Sequence, residues 1–211
     1  MPLQNRVDPL GRIHAVAARG LLTGNRGVIH DPEAKALLKR RWTTAAWIAC
    51  ALDHPRGLRR APMGRNAPSG AAGWTELFFL DEVTALAAGH RPCFYCRRQA
   101  AEAFRQSFAA GNGLGNVSAP EIDSILHRQR HAAGAALPAL DRRAVHALAD
   151  GAMVRAGQRL LALRAGRAWP WSFQGYGKPE PLPEAAVLVT PAATVGALAA
   201  GYSPLWHPTP A

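Results

Sequence analysis

Three cysteines are the residues best able to do chemistry, and their spacing points to a metal. The stretch GHRPCFYCRR, residues 89–98, places Cys93 and Cys96 in a C-x2-C behind a proline that fixes a turn. Two sulfurs so spaced can share one ion, and tetrahedral zinc then needs two more ligands. Upstream, CALDH places Cys50 and His54 in a C-x3-H. Together they form a set of four: Cys50, His54, Cys93 and Cys96. His90, His127 and His207 are the other imidazoles that folding could bring to the fourth place. Cys50 taken alone also reads as a small buried hydrophobe in a strand. An odd, sparse set of cysteines cannot close a disulfide framework, and it suits a reducing compartment and a metal.

A second constellation points to hydrolysis. Asp123, His127 and Arg130 are spaced i, i+4, i+7, so a helix would put them on one face. With His30, which ends an early strand, Asp123 and His127 offer the carboxylate and imidazole groups that a metal-dependent nuclease uses to hold a cation and activate water. The plainer reading of Asp123 and His127 is a solvated helix pair.

Charge narrows the partner. The formal net charge is +11, and of 25 basic residues only Lys35, Lys39 and Lys178 are lysine. Guanidinium groups grip phosphates in bidentate fashion, so a polyanion, DNA or RNA, is expected. The arginines best placed to touch it are Arg56, Arg59, Arg60 and Arg65, in the Pro/Gly/Arg-rich loop 53–73, and Arg91, Arg97 and Arg98, around the cysteine turn. Arg26, in the basic turn GNRG, could add a phosphate contact, although a plain tight turn is the default reading. Trp169, Trp171, Phe173 and Tyr176 could stack bases on a sheet, although one face of a core strand is the default for such spacing. An acidic protein partner would suit the same surface. No stretch approaches the ~20 apolar residues of a membrane span, and the N-terminus lacks a signal-peptide apolar core. A cytoplasmic protein is the expectation.

These groups must be positioned by short elements. Strands are expected in 11–20, 27–31, 41–52 and 74–80. Asp81 offers an N-cap for a helix that stops at Gly89. Helices follow over 97–111, with Ala100, Ala103, Phe104 and Phe108 inward, over 119–132, with Ile122, Ile125 and Leu126 inward, and over 139–148. Residues 151–173 read as a β-meander. Residues 75–96 and 187–208 share an ALAAG core inside a strand, helix, Gly stop and Pro turn, which suggests one supersecondary unit used twice, with Leu205 and Pro208 in place of Cys93 and Cys96.

LDEVTALAAGHRPCFYC resembles the metal-binding domain of the Ada methyl-phosphotriester repair protein, in which an alanine-rich helix leads into G-aromatic-R-P-C-x2-C. The resemblance covers roughly residues 47–98. It implies a zinc-bound, DNA-contacting unit in which Cys93 and Cys96 match the second ligand pair and Cys50 the first cysteine, with His54 in place of the second. The loop between the pairs is longer here. Four thiolates give the family's zinc a site charge of about −2, and a Cys3His site carries about −1, which leaves each thiolate less nucleophilic. A structural zinc is therefore expected, with methyl transfer to Cys50 the lesser reading. The whole chain also resembles uncharacterised bacterial proteins, which adds no function.

The sequence thus predicts an α+β protein with short antiparallel sheets and capped helices. A zinc-held unit spans 1–112. An α+β unit spans 113–211, either apart or packed with the first as one domain, and carries the repeated strand-helix-turn. The leading function is a zinc-containing, DNA-associated protein, an accessory of repair or processing. A nuclease centred on Asp123 and His127, and a protein-interaction module, are the alternatives.

Overall fold

Proline and glycine divide the first half into short strands. A computed structural model describes residues 1–57, 60–132 and 137–208. The elements of the first half are β1 (Arg6–Val7), β2 (Ile13–His14), β3 (Leu22–Asn25), β4 (His30–Asp31), β5 (Ala36–Leu37), β6 (Ile48–Ala51), β7 (Leu77–Phe79), α1 (Glu82–Ala87), β8 (Arg91–Pro92) and α2 (Arg98–Gly111). The second half carries α3 (Ala119–Ala132), β9 (Ala139–Asp141), α4 (Arg142–His146), β10 (Met153–Ala156), β11 (Arg159–Arg164), β12 (Arg167–Ser172), β13 (Gly175–Tyr176), β14 (Ala185–Leu188) and α5 (Ala192–Ala199). The fold is α+β, as expected. Among the described residues no helix is long and apolar enough to cross a membrane.

The first sheet has the order β2-β1-β7-β3-β6-β8. It is mixed rather than purely antiparallel, because β1 pairs parallel with β7 and β6 parallel with β8. Alternation along the strands gives it two different faces. Leu22, Ala49, Leu77 and Phe79 point into a core with Val7, Ile29 and Ala85. Thr23, Ile48, Cys50 and Phe78 occupy the other face and border a cleft. Several expected strands are shorter than their composition suggests. The strand expected over 11–20 shrinks to β2, since β1 offers only Arg6 and Val7 as partners. The strand expected over 41–52 shrinks to β6, because the chain before it folds back onto the β3–β4 turn: Thr43 N donates to Arg26 O at 2.8 Å, and Val28 N to Thr43 Oγ1 at 2.9 Å.

Asp81 caps α1 as expected, its carboxylate accepting from Thr84 N at 2.9 Å. Gly89, at φ +80°, then reverses the chain into β8. A Cβ there would meet Arg130 Cδ at 2.6 Å, so conformation and space both demand glycine. α2 buries Ala101, Phe104 and Phe108, one register step from the expected Ala100 and Ala103. Ile122 and Leu126 of α3 are fully buried, and Ser118 and Glu121 cap its start reciprocally. The helix expected over 139–148 is a short strand, β9, followed by α4, with Asp141 capping the helix through Ala144 N at 2.8 Å.

The second sheet, β13-β12-β11-β10-β14-β9, is antiparallel throughout. The echo also appears in three dimensions: β7-α1-Gly89 and β14-α5-Gly201 share one order, and both glycines have positive φ. The copies touch. Tyr202 O–H and Leu205 N donate to Glu82, and His207 N to Asp81, so the start of α1 takes the tail that follows α5. Packing crosses residue 112. Phe104 and Phe108 share a cluster with Ile122, Leu126 and Leu198, and Leu80 and Val83 share one with Met153 and Tyr176.

Candidate metal centre

The parallel pairing of β6 with β8 builds the site. Ile48 lies opposite Arg91 and Ala49 opposite Pro92, and Cys93 N donates to Ala49 O at 3.0 Å. This register brings Cys93, just past β8, beside Cys50 of β6. The turn closed by Arg97 N donating to Cys93 O at 3.0 Å then swings Cys96 back toward β6, where its sulfur accepts from Ala51 N at 3.3 Å. Cys93 Sγ accepts from Tyr95 N at 3.4 Å. The three sulfurs lie within 4.8 Å of one another, close enough to hold a metal ion.

The electrostatics suit a cation. The Cys93 thiol is held far below the usual range, chiefly by S–H donation from Cys50 and then from Cys96. Cys50 is pushed far up, first by donating to Cys93, then by its contact with Cys96 and by burial. Cys96 is also raised: its contact with Cys50 lowers it, and Cys93 and burial outweigh that. Three sulfurs this close favour one thiolate. A thiophilic cation would let all three ionise, since a metal deprotonates the thiols it binds. The donor set, soft and partly buried, fits zinc chemistry.

The expected fourth ligand is not in the cluster. His54 lies in a turn closed by Gly57 N donating to His54 O at 2.8 Å, and its Nδ1 accepts from Arg56 N at 3.1 Å. Its ring packs against Tyr95, with centroids 5.8 Å apart. His90 is fully buried between Trp47 and Phe79 and accepts from Arg26 Nε at 3.2 Å. His127 packs on Trp42 and contacts Arg130, and His207 is tied to Asp81 through its backbone N–H.

Around the cysteines lies a cleft of about 1000 Å³. Its walls include Trp74, Phe78, Phe94, Tyr95 and His54, and Arg60 lines it near Glu76. Trp74 and Tyr95 are 52% and 57% exposed, which is high for rings of this size. The Arg60 guanidinium lies 5.3 Å from the centre of the Trp74 ring. Burial raises the Glu76 carboxyl above its ordinary range.

The arginines divide into two groups. Arg56 and Arg98 are exposed, and Arg60 stands at the cleft. Arg65 pairs with Glu33 at 2.6 Å. Arg59 lies outside the described residues. Two expected phosphate contacts are internal struts instead. Arg91 grips buried Asp123 with two bonds of 2.8 Å, and Arg97 grips Glu82 likewise. Arg26 of the GNRG turn is 2% exposed, so it is no surface phosphate ligand.

The hydrolytic constellation does not assemble. Asp123 is committed to Arg91, and His30 is buried with Nδ1 2.6 Å from Thr75 Oγ1. Among the described residues Asp123, His127 and His30 form no metal-holding group. Trp169, Trp171 and Tyr176 pack with the core cluster of Leu80, Val83 and Met153, the default for such a strand. What the sequence did not flag is Trp74, whose ring belongs to the cleft and not to the core; its place just after the Pro/Gly-rich loop was the available signal.

No protein-family model matches this chain, and neither does any curated protein or solved structure.

Proposed function

We propose that this chain is a zinc-thiolate protein that binds DNA, with an unstacked base entering the aromatic cleft beside the metal. The observation that carries the reading is the convergence of Cys50, Cys93 and Cys96 at a cleft whose walls are aromatic and whose approach is basic. Cys50, Cys93 and Cys96 would hold the ion. His54 is our candidate for the fourth place, through Nε2, since Nδ1 accepts from Arg56. Zinc in such a set supplies structural cross-linking, here tying β6 to the turn after β8. The resemblance of residues 47–98 to the Ada-type domain supports the same assignment, in a repair or processing context.

The cleft's rings suit bases more than duplex. Stacking on an aromatic ring is worth about 1–3 kcal/mol per base and needs a base freed from its pair. Arg56, Arg60 and Arg98 would take phosphates, giving a steep salt dependence and little sequence preference. The test is fluorescence anisotropy with a labelled single strand, its duplex and an abasic strand of equal length at several salt concentrations. The reading expects single strand to bind tightest, affinity to fall as salt rises, and Trp74→Ala to remove the advantage over the abasic strand. Salt-insensitive binding, or none, would refute it.

A further inference from the structure

On the other face of the first sheet lies a second cleft, of about 680 Å³. Trp47 and Ala49 alternate with Ile48 and Cys50 along the chain, so this cleft is separated from the cysteine site by the thickness of the sheet. It opens between the end of α1, the α3 residues Gln129 and Arg130, β10 and the start of α5. Arg12, Arg130 and Arg155 line it, and no carboxylate among the described residues does.

Behind the lining stands a buried stack. Trp47 packs against two guanidinium groups, that of Arg26, 3.9 Å from a ring centre, and that of Arg130, 4.1 Å from one. Among the described residues neither guanidinium has an ion-pair partner within 4.0 Å. Arg26 donates to His90 and Gly11 O, and Arg130 to the carbonyls of Gly89 and Ala45. Three donors of this stack, Arg26 Nη2, Trp47 Nε1 and Arg130 Nε, are buried without an acceptor. Trp47 and Arg130 border the cleft themselves. Burial, and after it repulsion from Arg130, pull the Arg26 guanidinium down to about 9. Asp8 offsets this only in part for Arg26, as Asp123 does for Arg130; buried like charges are costly, and an anion in the cleft would relieve them. The N-terminal end of α5, reached through Thr190, Pro191 and Ala192, adds its positive dipole end.

The geometry points to a binding site for a phosphate group in this second cleft, with Arg12 and Arg155 as its direct ligands and the Arg26–Trp47–Arg130 stack as its positive floor. A phosphate group offers several acceptor oxygens to three guanidinium groups. Leu10, Leu137, Leu188 and Val189 leave apolar room for an organic body beside it. Two sources share this chemistry, inorganic phosphate and a mononucleotide.

The test is calorimetric titration of the full chain with orthophosphate and with adenosine monophosphate, at an ionic strength held constant with sodium chloride. Among the described residues Arg12 and Arg155 make no side-chain hydrogen bond or ion pair, so Arg12→Ser and Arg155→Ser should fold normally, as a thermal melt would check. Saturable binding of either ligand, weakened about 10-fold or more in each variant, is the expected result. Tighter binding of adenosine monophosphate identifies the nucleotide as the source, and tighter binding of orthophosphate identifies the free anion. Absence of saturable binding, or equal binding by wild type and both variants, would overturn the inference.

Discussion

Asp123 separates a hydrolytic reading from a structural one. Its carboxylate takes two bonds of 2.8 Å from Arg91, and the two side chains are 9% and 8% exposed. The pair joins α3 to β8 at Arg91, two residues before Cys93. Asp123→Asn keeps the shape and removes the charge, leaving a buried guanidinium uncompensated. Breaking one side of a buried pair costs about 3–5 kcal/mol. At about 2–4 °C per kcal/mol for a chain of this size, the melting temperature should fall by roughly 6–20 °C. Replacing both partners, as in Arg91→Met with Asp123→Leu, should recover most of that loss, since an apolar pair avoids both desolvation penalties. Thermal melts of the two variants, beside a divalent-ion-dependent cleavage assay, decide the matter. If Asp123→Asn melts with the wild type yet abolishes a metal-dependent cleavage, the strut argument is refuted and Asp123 is catalytic.

Two further predictions test the frame. Asp81 accepts four hydrogen bonds: from Thr84 N and Oγ1, Tyr176 O–H and His207 N. Asp81→Asn turns an amide NH2 toward two of those donors and should cost about 2–5 kcal/mol in denaturant unfolding; a cost under 1 kcal/mol would show that the tail is not held there. Burial also raises the Asp81 carboxyl, so folding favours its protonated form. Its contribution is then full below the unfolded carboxyl range near 4 and is lost as pH rises through the folded value. The penalty of Asp81→Asn should therefore be larger at acid pH than at neutral pH, and a pH-independent penalty would contradict this. Gly111 meets Gly196 backbone to backbone where α2 crosses α5, and a Cβ on Gly111 would lie 1.9 Å from Gly196 O. Gly111→Ala should destabilise by about 1–3 kcal/mol or more, and an unchanged melting temperature would mean the helices pack otherwise.

What the sequence made legible follows the range of the interaction. The cysteine trio was readable because C-x2-C is local and Cys50 closes the strand that the parallel register sets beside it. The cap at Asp81 and the stop at Gly89 were readable for the same reason. His54 was not, since its place depends on the turn at Pro55–Gly57 and on the Tyr95 ring. Arg91 and Arg97 look like phosphate ligands in a row of arginines, and only folding supplies Asp123, 32 residues on, and Glu82, 15 residues back. Arg26 misled similarly: an arginine in a turn between polar residues reads as exposed, and its burial under Trp47 comes from β-sheet packing. Strand lengths failed where a partner strand was shorter than the apolar run.

The most direct test of the central claim is the metal content of freshly purified, untagged full chain, with Cys50→Ser, Cys93→Ser and His54→Ala measured alongside. One zinc per chain is expected, lost or strongly weakened in both cysteine variants, and weakened in His54→Ala, the variant of the proposed fourth ligand. A wild type without zinc that keeps its fold in the presence of a chelator would contradict the metal centre, and would leave Cys50, Cys93 and Cys96 as three thiols that the β6–β8 register merely sets side by side.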